Sequence, residues 1–217
     1  MKFFRNNGLS IVFGLIFLCA IAGQARLGFS EYNEDRMNQN AAPVSFPDYL
    51  HTGHFIEATF ENWESEFLQM ALFVVFTIFL QQKGSSESKD LDKQEEVDRE
   101  PDPHRPGAPA PVKKGGLLLK LYSCSLTLSL FLLFIISFTL HFYGSFKDEN
   151  EQRALKAELP VSASDYIGDP RFWFESFQNW QSEFLSVFIL IVFSIYLRQK
   201  GSPQSKPVDA SNSETGK

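Results

Sequence analysis

The chain has 217 residues, is 44% hydrophobic and carries a formal charge of -6 at pH 7. The acidity argues against nucleic-acid binding and sits largely in one stretch, residues 87–102. A mean hydropathy of -0.14 conceals strongly apolar blocks alternating with strongly charged ones, so no window resembles a soluble domain and a soluble enzyme is excluded.

The first apolar block, residues 9–27, has the roughly 20 residues that a membrane-spanning helix needs. Lys2 and Arg5 before it and Ala25 near its end also fit a secretory signal peptide. Residues 28–59 form an outer loop containing Asn33-Glu34-x-Arg36, Pro43-Val44-Ser45 and Asp48-Tyr49. Asp48 is expected to cap a short helix that begins beside Tyr49. Residues 55–60 read as a helical approach along the membrane surface. The second span then runs from near Phe60 to Leu80, with Trp63 at the interface.

Residues 84–116 carry many charges, five prolines between Pro101 and Pro111, and almost nothing apolar. They are expected to be a disordered linker. A third span covers residues 117–143, with Lys120 snorkelling at its end. A second loop, residues 144–176, contains Asn150-Glu151-x-Arg153, Pro160-Val161-Ser162 and Asp165-Tyr166, with Asp165 as the expected cap. Another interfacial approach at residues 172–177 leads into a fourth span ending near Leu197, with Trp180 at the interface. A polar tail begins at Gly201.

The two halves match at a constant shift of 117 positions, the distance from Pro43 to Pro160, with no gap. Asn62-Trp63-x-Ser65-Glu66-Phe67-Leu68 falls on Asn179-Trp180-x-Ser182-Glu183-Phe184-Leu185, and Gln82-Lys83-Gly84-Ser85 on Gln199-Lys200-Gly201-Ser202. Internal repetition of this kind takes precedence in naming a fold. It also argues against the signal peptide, because the block equivalent to residues 9–25 is internal. The expected fold is therefore an all-α membrane protein with four transmembrane helices in two tandem parallel two-helix repeats. Interfacial helices precede helices two and four. The predicted divisions are a first repeat at residues 1–83, the linker at 84–116, a second repeat at 117–200 and a disordered tail at 201–217. Lys and Arg flank the first and third spans on their N-terminal sides and the second and fourth on their C-terminal sides. Both termini and the linker are thus expected in the cytoplasm.

The repeated polar motif is the candidate site. On a helix, Asn62, Ser65 and Glu66 share one face at i, i+3 and i+4, as do Asn179, Ser182 and Glu183. An ionisable side chain at membrane depth is costly and marks a functional hypothesis. The repeat is expected to bring Glu66 and Glu183 towards one another or onto equivalent surfaces. A cation or proton site is one reading and interhelical hydrogen bonding the other. Glu57, Glu61 and Glu64 lack acidic counterparts in the second copy and read as a solvated face. His51 and His54 are two ligands at most and make no metal site. His141 is expected to snorkel at a helix end, and His104 falls in the linker. Cys19 and Cys124 lie in apolar blocks and form no disulfide framework. No cofactor-binding motif is present.

The opening residues 4–10 (Phe-Arg-Asn-Asn-Gly-Leu-Ser), the block at residues 58–68 and the block at residues 172–185 together resemble a bacterial integral membrane protein family of unknown function. The resemblance covers nearly the whole chain. It implies a bacterial inner membrane and no particular chemistry. The expected function is a non-enzymatic membrane structural or interaction protein, with the lipid bilayer as partner and a homodimer as the candidate assembly. The alternative is a small homo-oligomeric transporter or channel using Glu66 and Glu183. A membrane enzyme using outer-loop carboxylates for acid–base work is a third reading.

Overall fold

The structure, a computed structural model, describes residues 2–216. Among them it is helical, with no strand. The helices are α1 (Lys2–Asn38), α2 (Phe46–Tyr49), α3 (Gly53–Phe79), α4 (Ala110–Lys114), α5 (Gly116–Ser123), α6 (Ser125–Leu155), α7 (Ala163–Tyr166) and α8 (Pro170–Tyr196). α1, α6 and α8 are long and apolar enough to cross a membrane.

Several boundaries differ from the sequence expectation. α1 and α6 continue well past their apolar blocks, so the predicted outer loops are partly helix. The extra turns end where the chain turns left-handed, at Asn40 (φ 59°) and Ala157 (φ 56°). There the N–H of Ala41 bonds the Arg36 carbonyl and that of Glu158 the Arg153 carbonyl, closing each helix end. The predicted third span is broken at Cys124, which separates α5 from α6. The expected interfacial approaches are not separate helices. Residues 55–60 and 172–177 are the first turns of α3 and α8, since nothing between them and the apolar stretches interrupts the helical bonding.

The short helices also start differently. The caps are Ser45 and Ser162, whose hydroxyls accept from the N–H groups of Asp48 and Asp165. Each hydroxyl also bonds the carboxylate three residues on, at 2.5 Å for Ser45 and 2.6 Å for Ser162. Asp48 and Asp165 therefore occupy the third helical position, where a carboxylate favours the helix N-terminus, and the tyrosines end the helices.

The chain divides into two compact units. One comprises Met1–Phe60 and Thr139–Phe172, the other Glu61–Phe138 and Trp173–Lys217. The first unit is organised by Tyr49, Tyr166 and Phe172, all essentially buried. Tyr49 packs on Phe29 (5.9 Å between ring centroids) and Phe55 (5.5 Å). Tyr166 packs on Phe146 (5.9 Å) and Phe172 (6.3 Å). Asn33 and Val44 exchange two hydrogen bonds (3.1 and 2.7 Å), and Asn150 and Val161 exchange the same two (3.3 and 2.8 Å). These asparagines tie the end of a long helix to the strand-like segment before the next short helix.

In the same unit α3 and α6 touch backbone to backbone. A Cβ on Gly53 would lie 2.2 Å from the Asp148 nitrogen, and one on Gly144 would lie 2.4 Å from that of Glu57. Small residues allow this approach in membrane helices. In the second unit the tail folds back on the residues after α3. Ser85 Oγ meets Ser194 Oγ at 2.9 Å, and Gly84 N donates to Thr215 Oγ1 at 2.9 Å. Lys206 is buried, and its ammonium donates to the carbonyls of Ser211, Asn212 and Glu214.

Two glycine-related substitutions should act in opposite directions on thermal unfolding in detergent. Gly144→Ala has no room against the Glu57 backbone and should cost about 1–3 kcal/mol. Ala157→Gly relieves a left-handed alanine and should raise the midpoint, by about 1 kcal/mol of stability.

Candidate functional site

The second unit contains the repeated motif. α3 and α8 each carry it two to three turns after their starts. Glu66 and Glu183 lie near enough to each other to interact electrostatically. The other motif residues are not placed equivalently. Ser65 is buried and donates to its own helix at the Asn62 carbonyl (2.8 Å), whereas Ser182 is exposed. Asn62 is exposed, while Asn179 is half-buried and donates to the Glu175 carbonyl at 3.1 Å. Trp63 and Trp180 are both half-buried.

Trp180 has a specific partner. Its indole Nε1 donates to Glu64 Oε1 at 3.1 Å, and Glu64 has no exposed surface. This overturns the expectation that Glu64 lies on a solvated face. The carboxylate is covered because an indole N–H, a donor with no acceptor to compete, meets it inside the protein. Glu61 and Glu175 form a further acidic pair, with carboxylate oxygens within 4.8 Å.

The first unit contains a separate polar cluster. Asp169 starts α8 by accepting from the Arg171 N–H at 2.8 Å, and Pro170 follows as the first helical residue. This start aims the Arg171 guanidinium at three carboxylates: Glu149 at 3.0 Å, Glu57 at 3.3 Å and Asp148 at 3.5 Å. Glu149 also accepts from Arg153 Nε at 2.6 Å. Glu57 is buried, so it too leaves the expected solvated face, drawn in by the guanidinium. Burial pushes the Tyr49 hydroxyl up to about 12, with the nearby Glu31 charge adding to the effect.

The histidines correct one expectation. His141 has no exposed surface and packs against the Phe172 ring at 5.0 Å, because an aromatic layer encloses it. His54 Nδ1 and the Tyr49 hydroxyl share a hydrogen bond of 3.3 Å. The carbonyl of His51 accepts from the Lys147 ammonium.

Glu64 and Arg171 are thus the principal residues that the sequence reading missed. Repetition could not reveal them, since their counterparts are Gln181 and His54. The available signal was the opposite one: a single copy holding an acid where the other holds an amide.

The chain matches the family described as a domain of unknown function (DUF6766) over residues 1–217. It belongs to that family. No curated protein and no solved structure matches it. Family membership therefore carries the whole length of the chain and no assigned chemistry.

Two predictions follow from the first unit. Arg171→Met leaves Glu57, Asp148 and Glu149 without their shared guanidinium and should lower stability by about 2 kcal/mol, less than for an enclosed pair because the arginine is partly exposed. Arg171→Lys should recover only part of this, since an ammonium lacks the fork. The Tyr49 hydroxyl ionises at a higher pH folded than unfolded. Its contribution is full below about pH 10 and lost as pH rises towards 12. An alkaline unfolding series should show that loss in the native protein and a smaller one in Tyr49→Phe.

Proposed function

We propose that this chain is a non-enzymatic integral membrane protein that acts by associating with other membrane helices, a second copy of itself foremost. The observation that carries the reading is the surface of α1, α6 and α8. Few residues of their most apolar stretches are buried by the rest of the chain. Exposed apolar area on that scale calls for lipid or for other helices.

The proposed architecture has four crossings, with α3 as the fourth. Its acids reduce its hydropathy, yet Glu57 and Glu64 are covered by Arg171 and Trp180, and residues 67–79 are apolar. The two halves are proposed as tandem copies. The paired Asn–Val, Ser–Asp and Tyr–Phe contacts at positions 117 apart support this. Both termini and residues 84–116 are assigned to the cytoplasmic side by the Lys and Arg distribution.

A second reading, a small homo-oligomeric transporter or channel, is favoured by one observation: the nearness of Glu66 and Glu183. Intramembrane carboxyls commonly lie on ion paths.

Single cysteines in a background lacking Cys19 and Cys124 test the topology. Cysteines at positions 40 and 157 should react with an impermeant thiol reagent on intact cells. Those at 92 and 209 should react only after permeabilisation. Particle mass in lipid nanodiscs tests association. A dimer or larger assembly is expected, and a monomer at every protein-to-lipid ratio would reject the reading.

A further inference from the structure

Asp148 sits at the closest approach of α3 and α6 in the first unit. A Cβ on Gly53 would lie 2.2 Å from its nitrogen and 2.8 Å from its Cα, so its main chain lies directly against the start of α3. The residue is 4% exposed, and it is the one buried aspartate among the described residues. It lies past Tyr143, where the apolar stretch of α6 ends, so protein packing encloses it.

Its charge is poorly met. Oδ2 lies 3.5 Å from Arg171 Nη2, the longest of the three carboxylate contacts to that guanidinium, and its side chain is the deepest of the three. Oδ1 is buried and has no hydrogen-bond partner among the described residues. The charged groups around it have other calls on them. On α6, Glu149 also bonds Arg153 at 2.6 Å, while Glu151 meets Lys147 at 3.8 Å and the Tyr32 hydroxyl of α1 at 3.0 Å. On α3, Glu57 shares the same guanidinium nitrogen, and His54 shares a hydrogen bond with the Tyr49 hydroxyl. A buried carboxylate oxygen without a donor is costly when ionised, and a proton removes that cost together with the charge.

We propose that Asp148 is a proton-binding site that sets the strength of the α3–α6 contact. With the proton bound, Asp148 is neutral and Arg171 serves Glu57 and Glu149. With the proton lost, a third carboxylate charge stands buried where the two backbones touch. The proton comes from solvent, which reaches the site at Arg171, whose side chain is 39% exposed. It forms one O–H bond on the carboxylate, and no other bond changes. Burial pushes the Asp148 carboxyl above the usual carboxylate range; the Arg171 and His54 charges pull it back only in part, and the Glu151 charge adds to the rise. The folded value therefore exceeds the unfolded one. The proton's contribution to stability is full below the unfolded value and is lost as pH rises through the folded one. The site holds for an associating protein and for a transporter alike.

The test follows the full chain in lipid nanodiscs by infrared spectroscopy and by thermal unfolding, from about pH 4 to about pH 8, below the Tyr49 transition. A carbonyl stretch from a protonated carboxyl should persist at a pH where an ordinary aspartate is ionised, and Asp148→Asn should lack it. Asparagine stays neutral at every pH. The unfolding midpoint of the native protein should therefore fall relative to that of Asp148→Asn by at least about 3 °C across the series. A native spectrum with no carboxyl band that Asp148→Asn removes, or a midpoint difference that does not change with pH, overturns the proposal. Should Asp148→Asn not fold, native protein grown with carboxyl-13C aspartate decides. The persistent band should then move with the label, because Asp148 is the one buried aspartate among the described residues. A band that stays in place, or no band at all, refutes the site.

Discussion

The backbone contact between α3 and α6 at Gly53 and Gly144 governs the arrangement of the first unit. Neither position can take a Cβ without displacing main chain. Each glycine is followed one turn later by an acid, Glu57 on α3 and Asp148 on α6. Bringing the two backbones into contact therefore brings two carboxylates together in a buried place. Such a pair is unfavourable unless a cation joins it. Arg171 is that cation, and the Asp169-Pro170 start of α8 holds it in position. Close packing and charge compensation are thus one requirement: the approach creates the need that the arginine meets.

The second unit answers the same problem differently. Its long helical stretches, residues 61–79, 125–138 and 173–196, together carry acids and no basic residue. One carboxylate is covered by an indole N–H, and two others lie near each other. At Glu64 a neutral donor stands where the first unit has an ion pair. That chemistry is consistent with a low-dielectric setting, where an unpaired charge costs most. A groove that begins at Gln69, Phe184 and Val187 joins this region to the polar residues after α3.

Much of the local structure was legible in the sequence. The long apolar blocks read as helices, and three meet the length and hydropathy that a crossing requires. The helix ends were less legible. α1 and α6 run on through polar residues because their last turns are secured by Arg36 and Arg153, which reach the carbonyls of Ala42 and Leu159. Asp48 and Asp165 looked like caps, yet a serine three residues earlier reaches the free N–H groups first. The candidate site was half legible. Glu66 and Glu183 stood out because they fall on matching positions at the shift of 117, and they lie near one another. Glu64 and Arg171 did not stand out because repetition was the signal, and neither is repeated.

By itself the sequence determined what depends on composition and short-range order. It determined the helical class, the alternation of apolar and charged blocks, the correspondence at 117 positions and membership of a family that spans the chain. These follow from hydrophobic periodicity and from identity in register, which need no partner. Only the tertiary structure decided which acids are buried and what meets each one. Glu57 and Asp148 share Arg171, Glu64 takes the indole of Trp180, and Glu66 lies near Glu183. Burial and pairing belong to the approach of helices distant in the chain. A glutamate at the membrane surface and one enclosed against a tryptophan are the same residue until that approach is made.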